Sequence, residues 1–161
     1  MAYTRKRTAK RTRPKDRTCY ETAVYLLQFR DQSEKDLTRK LKEREYTEKE
    51  IEEAMERLRD YEYVNDENLA DELFEAYRRR AQYGDAYIHQ KLKLKGLATE
   101  KHLQLEEEIE MAAVLLQKKW GMSPKLRTDF KKSASFLLRR GFSHDAVMTV
   151  MHEMDFEEIE E

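Results

Sequence analysis

The sequence predicts an all-α protein made of three tandem three-helix repeats. Leu, Glu, Lys, Arg and Ala dominate the chain, and these residues lose little side-chain freedom in a helix. Apolar residues recur at helical spacing along most of its length. A short pattern also occurs three times, in which an apolar residue surrounded by basic residues precedes a second apolar or aromatic residue by five positions. Its three copies are Leu41 and Tyr46, Leu92 and Leu97, and Leu137 and Phe142.

The three copies keep a regular register. Copies one and two align without a gap at a shift of 51 residues, which pairs Leu37 with Ile88. Copy three follows at a shift of 45, with Ser133 where an apolar residue is expected, and this register also places Leu105 among the buried positions. Self-similarity with a period of roughly 20–50 residues is typical of repeat proteins. The predicted repeats are residues 19–63, 64–107 and 108–155.

In the first repeat, the apolar stripes predict helices at about 19–31, 33–45 and 47–62. Ser33 is the predicted cap of the second helix, with acidic residues in the turn that follows. Thr47 has the capping-box spacing to Glu50 and is the predicted cap of the third.

In the second repeat, Asn65 is the predicted cap of the first helix, Gly84 ends that helix, and Gly96 ends the next one. Thr99 is the predicted cap of the third helix. The sequence contains no helix breaker between Leu97 and Trp120. We expect a bend near residues 106–108, although a single helix over 98–120 also fits the sequence.

In the third repeat, Gly121 is expected to stop the first helix. Ser123 followed by Pro124 predicts the start of the middle helix. Gly141 should end that helix, and Ser143 should cap the last one. Three apolar residues of the middle helix are expected to face inward: Phe130, Leu137 and Leu138.

The two ends of the chain have opposite charge. Residues 1–17 contain eight basic residues and one acidic residue, whereas the net charge of the whole chain is −1. Residues 1–18 are predicted to form a disordered arm, because nothing in them can bury a face. The arm could contact phosphates or serve as a solubilising tail, and the sequence does not separate these alternatives. Residues 156–161 are predicted to form an acidic tail.

Several classes of function lack support in the sequence. No apolar run approaches the roughly 20 residues that cross a bilayer, and the basic N-terminus is not followed by the apolar stretch of a secretory signal. The single Cys19 cannot form an internal disulfide, which fits the reducing cytoplasm. No phosphate-binding glycine loop is present. The four histidines, His89, His102, His144 and His152, show no metal-ligand spacing. We therefore expect no enzymatic activity, no cofactor and no metal.

Basic residues concentrate on the middle helix of each predicted repeat, whereas the third helices of the first two repeats are mostly acidic. This segregation favours a basic stripe along one side of the repeat array. The alternative is that these cations only complement nearby acidic helices. The candidate contact residues are Arg39, Lys40, Lys91, Lys95, Lys131, Lys132, Arg139 and Arg140.

Four segments, in this order, resemble motifs of the RecX family of recombination regulators: residues 33–41, 63–70, 91–97 and 137–143. The resemblance spans about residues 20 to 155. It implies an elongated, curved array of three-helix repeats without enzymatic activity. It also implies binding to the RecA recombinase filament on single-stranded DNA, within the filament groove. Suppression of ATP hydrolysis, strand exchange and stimulated repressor cleavage would follow.

Two alternatives remain open. The first is a direct nucleic-acid-binding helical protein, since paired helices with short turns can enter a groove. The second is a helical adaptor with another protein partner. For the RecA regulator we expect a cytoplasmic monomer without membrane association, whose partners are the RecA filament and possible direct contacts to single-stranded DNA within it.

Overall fold

The computed structural model describes residues 17–154, and these residues form eight α-helices and no strand. The all-α prediction is therefore confirmed for this part of the chain. A short 3₁₀ helix spans Pro124–Thr128. The eight helices are α1 Cys19–Leu27, α2 Glu34–Glu43, α3 Glu48–Asp60, α4 Asp66–Arg80, α5 Asp85–Leu94, α6 Leu105–Met122, α7 Phe130–Arg139 and α8 His144–Glu153. The predicted basic arm, apart from residues 17 and 18, and the acidic tail lie outside the described residues.

The chain divides into two compact units, with the boundary between Leu69 and Ala70, inside α4. In the first unit, α1 packs against α2 and α3. Its buried core includes Ala23, Leu37, Leu41, Ile51, Ala54, Met55 and Leu58. In the second unit, α6 and α7 pack against α8 around a core of Ala112, Leu116, Trp120, Leu137, Phe142, Val147, Val150 and Met151. The division into three repeats stays a prediction.

Four predicted N-caps are confirmed. The side chains of Ser33, Thr47 and Ser143 accept hydrogen bonds from the backbone N–H groups of the third residue that follows, at 3.2 Å each. Asn65 Oδ1 accepts the N–H of Asn68 at 3.1 Å. These bonds satisfy donors that would otherwise have no intrahelical partner, which is why the helices begin at these residues.

The recurring five-residue pattern is a helix end. At each copy, the backbone N–H of the closing residue donates to the carbonyl of the first apolar residue, from Tyr46 to Leu41, from Leu97 to Leu92, and from Phe142 to Leu137. The residue before the closing one has positive φ: 66° at Glu45, 71° at Gly96 and 86° at Gly141. This geometry is the Schellman motif, which brings the two apolar side chains together as the helix stops. All six apolar residues of the pattern are buried.

The predicted third helix of repeat two, capped by Thr99, is wrong, and so is the bend near residues 106–108. Residues 98–104 are not helical, and α6 runs without interruption from Leu105 to Met122. Polar contacts to α4 and α5 hold this stretch, because Thr99 Oγ1 donates to Asp71 at 2.7 Å and Leu103 N–H donates to Asp85 at 2.7 Å. The acidic residues 106–108 instead form the first turn of α6, where the helix dipole favours negative charge.

Other local predictions also need correction. Gly121 lies in the last turn of α6 and does not stop that helix. Asp129, not Ser123, caps α7 by accepting the N–H of Lys132 at 3.0 Å. Phe130 and Leu138 are 41% and 45% exposed, so only Leu137 of the three predicted residues is buried in the core. The repeat register fails at Leu105, which is 43% exposed because it begins α6.

The start of α5 and the end of α7 meet at two glycines, Gly84 and Gly141. Gly84 N–H donates to the carbonyl of Arg140 at 2.8 Å. A Cβ atom on Gly84 would lie 2.3 Å from the Gly141 carbonyl oxygen, and one on Gly141 would lie 2.4 Å from Tyr87 Cβ. Only glycine fits at either position without displacing backbone.

We expect Gly141→Ala to lower the free energy of unfolding by about 2–5 kcal/mol. The left-handed conformation costs an L-residue about 1–2 kcal/mol, and the overlap with Tyr87 adds about 1–3 kcal/mol of strain. Urea unfolding followed by circular dichroism measures the change. The control is Glu45→Gly, which places glycine at the corresponding position of the first unit and should leave stability unchanged or raised. A Gly141→Ala protein as stable as wild type would refute the close-approach argument.

Candidate functional site

The structure places the eight predicted contact cations on or directly after three helices. Arg39 and Lys40 lie on α2, and Lys91 lies on α5, followed by Lys95 at its C-cap. The other cations belong to α7 and its C-cap: Lys131, Lys132, Arg139 and Arg140. Their proposed contact role stays a prediction.

The two cations of the first unit differ in availability. Arg39 is exposed and pairs with Glu43 one turn later, at 2.8 Å. Lys40 is half-buried and donates to Gln32 Oε1. Burial, followed by the nearby charges of Arg30 and Arg39, lowers the pKa of Lys40. Lys40 therefore has a structural role beside Gln32, whereas the guanidinium of Arg39 faces solvent.

The cations in the body of α7 are exposed. Lys131, Lys132 and Arg139 face solvent, whereas Ser133 and Leu137 on the opposite side of the helix are buried. Lys132 Nζ lies 3.7 Å from Asp129, with 74% of its side chain exposed. Such an exposed pair contributes little to stability, so this face of α7 has positive charge available for a partner.

Ser133 is the polar residue at a core position of the third copy of the pattern, and its hydrogen bonds make its burial possible. Its hydroxyl accepts the indole N–H of Trp120 at 3.0 Å and donates to the carbonyl of Leu126 at 2.8 Å. Ser133 is 0% exposed. A buried hydroxyl with both partners carries no desolvation penalty from an unmade bond, and α7 is held with its basic face outward.

Lys91 and Arg140 belong to an aromatic cluster that sequence reasoning missed. The rings of Tyr83 and Tyr87 stack at 3.8 Å between centroids. Lys91 Nζ lies 5.2 Å from the centre of the Tyr87 ring, and the Arg140 guanidinium lies 5.2 Å from that of Tyr83. Burial raises the pKa of the Tyr87 phenol, as does its hydrogen bond with Tyr83. These cations are held by cation–π contacts. The four-residue spacing of Tyr83, Tyr87 and Lys91 could have signalled the cluster.

The structure also brings together three residues that sequence spacing kept apart. His102 Nδ1 lies 2.8 Å from Asp85 Oδ2, and His89 Nε2 lies 3.5 Å from the same oxygen. The two imidazole rings stack with their centroids 4.5 Å apart. The spacing of His89 and His102 in the sequence does not indicate this grouping. The cause is the non-helical course of residues 98–104, which folds His102 back onto α5.

Glu108 is a buried carboxylate in the first turn of α6, with 5% of the residue exposed. Its Oε2 accepts the backbone N–H of Ser143, the N-cap of α8, at 3.0 Å. Burial raises the pKa of Glu108, the Ser143 hydrogen bonds oppose that rise, and the charge of Asp85 adds to it. Glu108 therefore links α6 to the start of α8 at an electrostatic cost.

Within residues 17–154, no helix is both long and apolar enough to span a membrane. The helical architecture and its recurring helix ends define a protein built from three-helix domains. Two stretches match models of such domains, residues 19–58 that of the first three-helix domain of RecX and residues 106–151 that of the third.

Proteins of similar sequence over most of the chain belong to the same family. The chain is 33% identical over 155 residues to the regulatory protein RecX of Actinobacillus pleuropneumoniae serotype 5b, which covers 89% of this chain and 96% of that protein. It is 29% identical to the RecX of Trichlorobacter lovleyi, over 80% of this chain and 90% of the relative. The chain therefore belongs to the RecX family of regulatory proteins.

Solved structures agree on the fold. The crystal structure of RecX from Lactobacillus salivarius superposes with a TM-score of 0.73 at 24% identity, covering 84% of this chain and 93% of that one. A second crystal structure of a regulatory protein RecX superposes with a TM-score of 0.75 at 22% identity, covering 83% of this chain and 71% of that one. At these identities the likeness establishes the fold alone.

The raised pKa of Glu108 predicts a pH-dependent contribution to stability. The folded protein binds this proton more tightly than the unfolded chain, so the contribution is present below the ordinary pKa of 4.5 and is lost as pH rises through the folded pKa. Glu108→Gln retains an acceptor for Ser143 and removes the buried charge. It should therefore be more stable than wild type near pH 7 and lose that advantage near pH 4.

Urea unfolding between pH 4 and pH 7 measures this difference, at about 1.4 kcal/mol for each unit by which the two pKa values differ. Glu106→Gln, an exposed substitution in the same turn of α6, is the matched control and should show no such gain. A stability difference between Glu108→Gln and wild type that does not change with pH would contradict the account.

Proposed function

We propose that this RecX-family protein binds the RecA filament assembled on single-stranded DNA, lies in the filament groove and inhibits the recombinase. ATP hydrolysis, strand exchange and co-protease activity would decrease together, because all three require the active filament. The proposal rests on family membership, supported by a regulatory RecX relative whose match covers 89% of this chain. We further propose that the protein acts by binding alone, as a cytoplasmic monomer without a cofactor or an enzymatic activity of its own.

The proposed contact surface is the exposed basic face of α7, formed by Lys131, Lys132 and Arg139. A filament on single-stranded DNA presents phosphates and acidic side chains, and exposed cations whose own contacts are weak can pair with them. Arg39 on α2 is available in the same way, since its exposed pair with Glu43 is weak. We assign these four residues direct contacts.

Three of the remaining predicted cations have a supporting role in this proposal. Lys40 is engaged with Gln32, and Arg140 lies against the rings of Tyr83 and Phe136, at 5.2 and 5.3 Å. Lys91 lies over Tyr87. Substituting these residues should affect the local structure of the helix ends as well as the charge of the surface, which makes them poorer probes of binding.

The test is RecA ATP hydrolysis on single-stranded DNA, titrated with the protein, beside DNA binding by the protein alone. We expect inhibition well below one copy per RecA subunit, together with weak DNA binding. If RecA is inhibited only to the extent that the protein covers the DNA, the protein is a direct nucleic-acid binder and not a filament regulator. If neither assay shows an effect, the remaining alternative is a helical adaptor with another protein partner.

The α7 surface has its own test, the double variant Lys131→Glu with Arg139→Gln. Both side chains are exposed, and glutamate near the start of α7 suits the helix dipole, so the fold should persist. We expect inhibition of RecA to weaken about tenfold, equivalent to about 1.4 kcal/mol of binding free energy.

The matched control is Lys118→Glu, an exposed cation on α6 outside the predicted set. It changes charge in the same unit and should leave inhibition at the wild-type level. Equal inhibition by the double variant and wild type would exclude the α7 face as the contact surface while leaving RecA regulation itself standing.

A further inference from the structure

We propose that Asp85, His89 and His102 form a binding site for a divalent transition-metal ion of the zinc class. One ligand atom from each residue lies within 4.8 Å of the other two. Asp85 Oδ2 is at the centre of the group, 2.8 Å from His102 Nδ1 and 3.5 Å from His89 Nε2. Ligands about 2.0–2.2 Å from a tetrahedral Zn²⁺ lie roughly 3.3–3.6 Å from one another, so small side-chain movements suffice to enclose an ion.

The donor set selects the kind of ion. Two imidazole nitrogens and one carboxylate oxygen suit Zn²⁺ and its neighbours Co²⁺, Ni²⁺ and Cu²⁺, whereas Mg²⁺ and Ca²⁺ prefer oxygen ligands alone. The His102 side chain is 60% exposed, which leaves a path for the ion and room for water in the fourth position. Three protein ligands with one open position are an ordinary zinc arrangement.

The surrounding chain holds the three ligands in place. The second oxygen of Asp85 accepts the N–H of Leu103 at 2.7 Å, which fixes the carboxylate. Arg78 donates to the carbonyl of His102 at 3.1 Å and so anchors the backbone that carries this histidine. His89 is half-buried beside the ring of Phe74, 5.9 Å away. Outer contacts of this kind orient metal ligands and raise affinity.

Binding would replace hydrogen bonds of the two imidazoles with bonds to the metal. His89 Nε2 lies 2.9 Å from the carbonyl of Lys101, where its N–H can donate. A neutral imidazole that binds metal through this nitrogen carries its proton on Nδ1 instead. His102 likewise carries its proton on Nε2 when Nδ1 binds the ion. The carboxylate of Asp85 then contacts the metal in place of the imidazole N–H.

The consequence concerns the stretch between α5 and α6. Residues 98–104 are non-helical and are held to α4 and α5 by polar contacts, including that between Lys101 and Glu75 at 3.0 Å. A metal bound by Asp85, His89 and His102 would join this stretch to α5 at a further point. An ion that binds the folded state alone stabilises it in proportion to the logarithm of its concentration. The site would therefore make the rigidity of this connection depend on metal.

The experiment uses the full chain without a histidine tag, freed of metal and titrated with Zn²⁺ in competition with a chromophoric chelator. Wild type should bind one ion at a site that His102→Ala and His89→Ala each weaken at least tenfold. Co²⁺ should give the visible absorption of a tetrahedral complex, and His102→Ala should abolish it. His144→Ala and His152→Ala are matched controls, since both histidines are exposed and lie outside the group.

Two further measurements distinguish the loss of a metal-binding side chain from the loss of the fold. His102→Ala should still unfold in one cooperative transition in the absence of metal, because its side chain is mostly exposed. Zn²⁺ should slow amide hydrogen exchange in residues 98–104 of wild type and not of His102→Ala. Absence of stoichiometric binding, or binding that His102→Ala leaves unchanged, would overturn the proposal. An equal loss of Zn²⁺ affinity in the His144→Ala control would also overturn it.

Discussion

The recurring helix end is the constraint on which the rest of the described structure depends. In each copy, a residue with positive φ reverses the backbone after α2, α5 or α7 and lets the next N–H reach back five residues. That bond satisfies a carbonyl the helix leaves open and brings two apolar side chains into the core together. Burial and hydrogen bonding thus agree at the same residues, which is why an apolar pair in the sequence corresponds to a defined turn.

The same helix ends determine which residues face solvent. Because Leu137 and Ser133 are buried on one side of α7, Lys131 and Arg139 must lie on its outer side. Ser133 keeps this arrangement although it is polar, since Trp120 and the Leu126 carbonyl satisfy its hydroxyl. The positive surface is therefore a consequence of how the helix packs, and it requires no special local conformation.

Local signals predicted much of this fold, and contacts between distant residues account for what they missed. The caps Ser33, Thr47, Asn65 and Ser143 act within one turn, so the sequence reveals them directly. Residues 98–104 contain no helix breaker, yet bonds to residues of α4 and α5 hold them non-helical. The grouping of His89 with His102 depends on that same stretch. The aromatic cluster of Tyr83 and Tyr87 around Lys91 and Arg140 similarly requires α5 and α7 to meet at Gly84 and Gly141.

We propose that the cations on the outer side of α7 contact the assembled RecA filament. Site-specific photocrosslinking from Ser135, an exposed residue between Lys131 and Arg139, tests this most directly. We expect crosslinks to RecA or to its DNA only when RecA, single-stranded DNA and a nucleotide that supports the active filament are all present. A probe at Lys118 on α6 should give none. Crosslinks from Lys118 without any from Ser135 would contradict the account.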